Sequence, residues 1–422
     1  DCNGPGRMRN HILWLAVLLC VCSSGLAHAQ GGTIDPRDET QVEKLLIPYA
    51  FYNDYFEAAG GIAFSILGFP QRQMGLVGTV IAGSNGSVSG YLLGRDIQLP
   101  VGERLFLDFN LAVGSFEKLE IYTNGNPDFP DEDAGSNDSD KDNFIEGDGD
   151  DYFAEFIFKY LLPIGHAREE VIGTYVLDRG LLASGATGAE SWNPLESGRT
   201  YIEVKPFYRR QSVDGDFIDE VQETNGFEFA VSHDNTDFPA NPSRGSSKRI
   251  AITRDRGWHG SSDRWTAVEG EFSKYFSLGP SEKLRQRVIA LNMWTVNALS
   301  GEPPSFAGAT LGGLFRMRGF PAARFNDQAA IYYAAELRLI PEWNPLAEIS
   351  FLEFLEIDWI QLVPFVEVGR VARGWNISEL HSDMKWDAGF GLRLMAKRLV
   401  LRADAAASEE GFGVQMMVGH PF

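Results

Sequence analysis

The chain has 422 residues, a formal net charge of -21 and 44% hydrophobic residues. That charge argues against nucleic acid or anionic lipid surfaces as partners, and after the leader no segment supplies the ~18 uninterrupted apolar residues of a membrane-spanning helix. All three cysteines (Cys2, Cys20, Cys22) fall before Gln30, which excludes a disulfide framework, a thiolate nucleophile and a cysteine-bound metal from the rest.

Residues 1–7 read as sequence upstream of Met8. From there Arg9, the apolar run Ile12 to Cys22, and Ala27-His28-Ala29 have the order of a secretory signal peptide, so 1–29 is expected to be cleaved before Gln30. A lipobox is not met, because Leu19 and Val21 precede the cysteines where a small residue is required. The polar stretch 30–48 is expected to be a short periplasmic segment, too short to fold alone.

Period-two alternation then runs almost to the end. The predicted strands are 50–67, 74–83, 88–97, 104–122, 151–162, 169–178, 199–212, 225–234, 247–255, 264–276, 285–297, 328–340, 360–370, 384–396, 398–406 and 411–422. Sixteen is an even number, as a single-chain bacterial barrel requires, and it places both termini on the periplasmic side. The fold class is therefore all-β: a 16-stranded antiparallel transmembrane β-barrel over 49–422. Gly83-Ser84-Asn85-Gly86, Pro100-Val101-Gly102, Pro163-Ile164-Gly165 and Gly279-Pro280 mark turns between strands.

Three connections stand out. The stretch 124–151 carries eleven carboxylates against Lys141 alone. Asp138, Asp140 and Asp142 alternate like the start of a calcium loop, but Asn143 and Gly149 sit where such a loop needs Gly and Glu. A solvated, mobile loop is the expectation. Strand parity puts 298–327 on the outer side and 341–359 on the periplasmic side, the latter as a short amphipathic helix or an irregular turn.

On strand 328–340, Ile331, Tyr333, Ala335, Leu337 and Leu339 share a face suited to lipid, which turns Glu336 and Arg338 to the lumen. On 360–370, Leu362, Pro364, Val366 and Val368 face lipid, which turns Phe365, Glu367 and Gly369 inward. Two carboxylates on one interior wall call for a cation. Arg318, followed by Gly319 and Phe320, is the candidate if its loop folds inward, because guanidinium can bond two carboxylates at once. The terminal strand places Phe412, Val414, Met416, Val418, His420 and Phe422 on one face, an apolar stripe ending in an aromatic.

Arg318-Gly319-Phe320 after Gly312-Gly313, then the strand bearing Glu336, then Phe365-x-Glu367-x-Gly369 and the terminal Phe422, resembles the BamA/TamA family of outer-membrane barrels, the bacterial surface antigens. The resemblance runs over Leu311 to Phe422 and more weakly from Tyr49. His233-Asp234-Asn235 through Pro242 and Gly245 is similar to a further family strand and turn, departing from Thr236 onward. It implies a sixteen-stranded outer-membrane barrel of a Gram-negative bacterium with an inward-folded extracellular loop whose Arg meets acidic wall residues. It also implies a C-terminal strand that serves as an assembly signal. Members that insert proteins carry POTRA modules before the barrel, for which 30–48 is too short.

The functional expectation is a barrel that aids protein or lipid insertion or translocation at the outer membrane. The alternatives are a passive or loop-gated channel and a structural surface barrel. No enzymatic activity, cofactor or metal is expected. His233 and Asp234 are adjacent and point to opposite sides of a strand, and His166, His259, His381 and His420 have no metal-ligand spacing. Expected partners are outer-membrane lipids including lipopolysaccharide and the barrel assembly machinery that inserts the chain, with no nucleic acid, an unknown substrate and a monomeric state.

Overall fold

The computed structural model describes residues 42–422 apart from Asp54, Ala186, Thr187 and Asp216. The expected signal peptide, 1–29, and all but the end of 30–48 lie outside the described residues.

Sixteen strands form one antiparallel sheet in strict chain order. They are β1 (Glu43–Asn53), β2 (Glu57–Leu67), β3 (Gly75–Gly83), β4 (Val88–Gln98), β5 (Leu105–Ile121), β6 (Ile145–Leu161), β7 (Arg199–Gly215) and β8 (Asp219–Asp234). The second half comprises β9 (Gly245–Asp255), β10 (Thr266–Ser277), β11 (Leu284–Ser300), β12 (Ala329–Pro341), β13 (Ile357–Ala372), β14 (Lys385–Ala396), β15 (Leu399–Ser408) and β16 (Phe412–Val418).

Alternation sorts the two faces of the wall. Along β12, Tyr332, Ala334, Glu336, Arg338 and Ile340 are buried in the lumen. The opposite face of the sheet exposes an apolar band that includes Val80, Phe229, Ile250 and Phe390. Water would not tolerate such a band, whereas hydrocarbon does. Among the described residues no helix is long and apolar enough to cross a membrane.

The count of sixteen conceals two offsetting differences from the sequence reading. The segment 50–67 is a hairpin, not one strand: β1 pairs with β2 from Glu43↔Leu67 to Asn53↔Glu57. The turn has no Gly or Pro to announce it, and Glu57 itself takes the left-handed conformation (φ 55°). The wall therefore starts at Glu43, inside the segment assigned to a periplasmic arm. Conversely, 169–178 is not a wall strand. Val171 and Ile172 pack on Phe106, Leu161 and Ala167, and the only pairing nearby is a small hairpin of Val176–Asp178 with Leu181–Ser184. An apolar run can satisfy its side chains by packing without joining a ladder.

The long connections fill both mouths of the barrel. At the end opposite the termini, 301–328 enters the lumen and 122–144 docks on it. Asn326 N donates to Gly135 O at 2.8 Å, and Arg324 Nη2 donates to Ser139 O at 2.6 Å. The acidic stretch is thus tied down, not solvated throughout: Arg324 donates to Ser139, and Arg373 pairs with Asp133. Among the described residues no group of three or more acidic, His or Cys side chains is placed to hold a metal ion. At the other end, 162–198 packs Tyr175 and Leu177 against Phe238 and Trp359. The connection 342–356 forms two 3-10 turns, Pro345–Glu348 and Ser350–Leu355, rather than a helix.

The sheet begins at β1 and ends at β16. Among the described residues no backbone ladder joins them. Side chains meet across the seam, where Tyr49 and Phe51 cluster with Met416, and Leu45 near the start of β1 packs with Ile357 and Ala396 at the ends of β13 and β14.

Candidate functional site: a charge cluster in the lumen

The loop after β11 carries Arg316, Arg318 and Arg324 inward. A short ladder of Ala309–Leu311 with Phe325–Asp327 closes its neck. Phe320 packs edge-on against Phe325, with ring centroids 5.1 Å apart, in the largest buried apolar cluster. That cluster anchors the loop tip against β11, β12 and β13, and so aims Arg318 at the wall.

Arg318 is fully buried. Its Nη2 lies 3.1 Å from Glu336 Oε1, its Nε 3.2 Å from Glu367 Oε2, and its Nη1 2.5 Å from Asp404 Oδ2. Its backbone N donates to Glu367 Oε2 at 2.7 Å, and its guanidinium stacks 3.5 Å from the Phe365 ring centroid. Tyr332 donates its hydroxyl hydrogen to the other Glu367 oxygen. Gly319 N donates to Asp387 Oδ2 at 2.9 Å, and Ser408 Oγ donates to Gly319 O at 2.9 Å. A Cβ on Gly319 would lie 2.8 Å from Asp387 Cβ, so a side chain there would hold the loop off the wall. Gly369 has the matching role on β13, where a Cβ would meet Leu311 Cδ1 at 2.8 Å.

The cluster is larger than the sequence suggested. Glu336 also accepts from Arg393 (2.6 Å) and Arg338 (2.8 Å), while Arg402 reaches Asp404 at 3.3 Å and donates to Leu314 O at 2.6 Å. Four guanidiniums (Arg318, Arg338, Arg393, Arg402) therefore face four carboxylates (Glu336, Glu367, Asp387, Asp404), all buried. Three of the carboxylates pair with guanidiniums and Asp387 accepts from Gly319 N, and such partners are what makes burial of so many polar groups tolerable. The missed members had a signal: Asp387 and Arg393 are in phase on β14, as are Arg402 and Asp404 on β15, so each pair shares the lumen face.

The C-terminal residues divide. Phe412 and Val414 are exposed on the outer face, and Met416 is buried at the seam. The strand stops at Val418, not Phe422. Gly419 (φ 86°) turns the chain inward. His420 Nδ1 then lies 2.6 Å from Arg393 Nη1, and the Phe422 ring lies 5.2 Å from the Arg338 guanidinium. Pro421, which has no amide hydrogen to donate to a ladder, sits between them. The apolar stripe counted from Phe422 thus holds for its first half only; His420 and Phe422 belong to the lumen.

Chemically, the cluster is a set of buried ion pairs in which the Tyr332 and Ser408 hydroxyls are committed to hydrogen bonds. It can hold the loop across the barrel and couple it to β12 through β15 and to the tail.

The Omp85 superfamily domain model matches residues 200–420, just over half of the chain and well beyond the 311–422 stretch that carries the sequence resemblance. No curated protein sequence matches. Among solved structures the chain is similar to BamA from Haemophilus ducreyi lacking POTRA domains 1-3, at 12% identity and TM-score 0.47, over 90% of this chain and 70% of that one. It is similar to CdiB from Acinetobacter baumannii at 14% identity and TM-score 0.49, over 89% of this chain and 59% of that one. CdiB from Escherichia coli gives 10% identity and TM-score 0.54, over 89% of this chain and 61% of that one. The chain spans about three fifths of the length of both CdiB chains, and the last likeness bears on the fold. The sixteen-stranded wall with its apolar outer band, the buried inward loop and the matched domain together make this an integral outer-membrane β-barrel, and the chain belongs to the Omp85 superfamily.

Proposed function

We propose that this barrel helps proteins or lipids insert into or cross the outer membrane at the junction of β1 and β16, with the Arg318 loop bracing the wall beside it. The observation that carries the reading is the seam. Its two edges meet through side chains such as Tyr49, Phe51 and Met416, and no ladder joins them among the described residues. An unpaired strand edge is a template for another strand. The brace supports the reading because Asp404 and Arg402 belong to β15, next to the seam, so loop position and seam geometry are coupled. In this reading the barrel is a monomer without cofactor or catalytic step. It is inserted by the barrel assembly machinery, and its outer wall meets outer-membrane lipids including lipopolysaccharide.

A loop-gated channel is the second reading. It is favoured by two cavities inside the wall of about 180 and 150 Å³. The test reconstitutes the chain in liposomes and follows both the folding of an added denatured outer-membrane barrel and ion conductance. Cysteines replacing Phe51 and Met416, bridged by a bifunctional maleimide, should abolish client folding and leave conductance unchanged. Client folding no faster than in empty liposomes, with conductance that rises on deletion of 298–327, would establish the channel instead.

A further inference from the structure

The outer wall carries a second, unrelated cluster near the end of the barrel where the termini lie. Lys248 is the fourth residue of β9 and Lys274 the fourth from the end of β10. Both are in phase with lipid-facing residues, Ile250 (68% exposed) on β9 and Phe276 (46% exposed) on β10. Lys248 pairs in register with Phe272, and Lys274 sits two residues along, so the two ammonium groups are diagonal neighbours on one face.

Trp192, from the connection 162–198, caps this pair from outside the barrel. Its ring centroid lies 4.4 Å from Lys248 Nζ and 4.6 Å from Lys274 Nζ, and it stacks on Phe272 at 6.1 Å. The turn that presents it is pinned. Buried Asn235 donates to Ser191 O at 2.6 Å and accepts from Ser197 Oγ at 2.6 Å. The adjacent carboxylate of Glu196 is taken by Ser191 (2.8 Å) and Asn193 (2.9 Å).

Two like charges are thereby gathered on one aromatic ring, and among the described residues neither pairs with a carboxylate. Charges of one sign held together in the protein need an external counter-ion. A second observation gives its position. His233 lies directly across the ladder from Lys248 and is 6% exposed. Its Nδ1 is 2.9 Å from Thr200 Oγ1, while its Nε2 is buried without a partner in the protein. With Thr200 donating to Nδ1, Nε2 carries a hydrogen and requires an acceptor.

We propose that Lys248, Lys274, Trp192 and His233 bind the phosphodiester of a glycerophospholipid in the periplasmic leaflet, with the acyl chains lying along Ile250, Phe276 and their neighbours. The ammonium groups and the imidazole supply charge-assisted and neutral donors to the phosphate oxygens. The indole sits at the depth where aromatic side chains favour the membrane interface. The chain's net charge of -21 opposes general attraction to anionic surfaces, so the site acts locally, through contact, and not by long-range steering. The site lies outside the lumen and stands independently of the function proposed for the seam.

The test titrates the purified full chain in detergent micelles with short-chain phosphatidylglycerol, read by native mass spectrometry. Further arms use short-chain diacylglycerol, lipid A and inorganic phosphate. Saturable binding of the phospholipid is expected, weakened about ten-fold or more in Lys248→Gln/Lys274→Gln. The heat-modifiable gel shift reports the folded barrel and should be unchanged. Trp192→Leu, which removes an exposed ring and no charge, serves as the second variant and should also weaken binding. Equal affinity in wild type and both variants would overturn the proposal. So would preference for lipid A, equal binding of diacylglycerol, or inorganic phosphate binding as tightly as the lipid.

Discussion

Arg318 ties the inward loop to the wall, because three carboxylates from β12, β13 and β15 converge on it. Replacing it with Ala leaves those carboxylates short of a cation in a site with no exposure. Breaking a buried pair in this way costs about 3–5 kcal/mol. We expect Arg318→Ala to release the loop, seen as faster proteolysis within 298–327 and a lower unfolding temperature of the inserted barrel. Arg318→Lys should restore only part, since ammonium lacks the planar fork that reaches three partners and cannot stack on Phe365 in the same way. Equal protease resistance in wild type and the Ala variant would remove the bracing role. Arg318, Glu336 and Glu367 were legible from parity and from the need to neutralise two inward acids. Asp404 and Asp387 share the lumen phase as well, but alternation alone does not say which inward acids a loop will reach. The fold shows that Arg393 joins Glu336, that Arg402 joins Asp404 and that Asp387 takes the amide of Gly319.

At the scale of the element, the terminal strand shows where sequence patterning stops being informative. Period-two alternation from Phe412 to Val418 was enough to specify β16 and its exposed face. Continuing the count to Phe422 ignored two breakers in the sequence, Gly419 and Pro421, which end a ladder for reasons of backbone conformation and a missing donor. Between β1 and β2 the turn at Tyr55-Phe56 carries no Gly or Pro, and within a long apolar run only Asn53-Asp54 mark it. The tail's position makes a prediction that an assembly signal alone does not. Phe422 packs with Tyr275, Val288 and Ala290 and lies over Arg338, so Phe422→Ala should destabilise the already inserted barrel by about 2–3 kcal/mol, less than for a fully buried Phe. The measurement is the heat-modifiability midpoint of membrane-embedded protein. Reduced insertion with an unchanged midpoint would mean that the aromatic acts before folding and contributes nothing afterwards. Phe412→Ala, on the lipid-facing side, should leave that midpoint nearly unchanged.

For the whole molecule, stability is distributed unevenly around the wall. Strands β11 to β15 are ladder-paired on both edges, and the side chains facing inward from them form the largest apolar cluster and the ion-pair cluster. At the seam, β1 and β16 each have one edge without a ladder partner among the described residues, and β16 has only seven residues. Backbone amides open with free energies set by the cooperative unit that protects them, so the least-paired strands open first. Hydrogen exchange on the reconstituted barrel should therefore run fastest at β1 and β16 among the sixteen strands and slowest at β12 and β13. A bridge between positions 51 and 416 should slow exchange at β1 and β16 while leaving β12 unchanged. That contrast separates a seam that opens by itself from a barrel that loosens everywhere. If β16 amides are as protected as those of β12 before any bridge is introduced, the two edges are paired in the membrane and the seam cannot serve as the site of insertion.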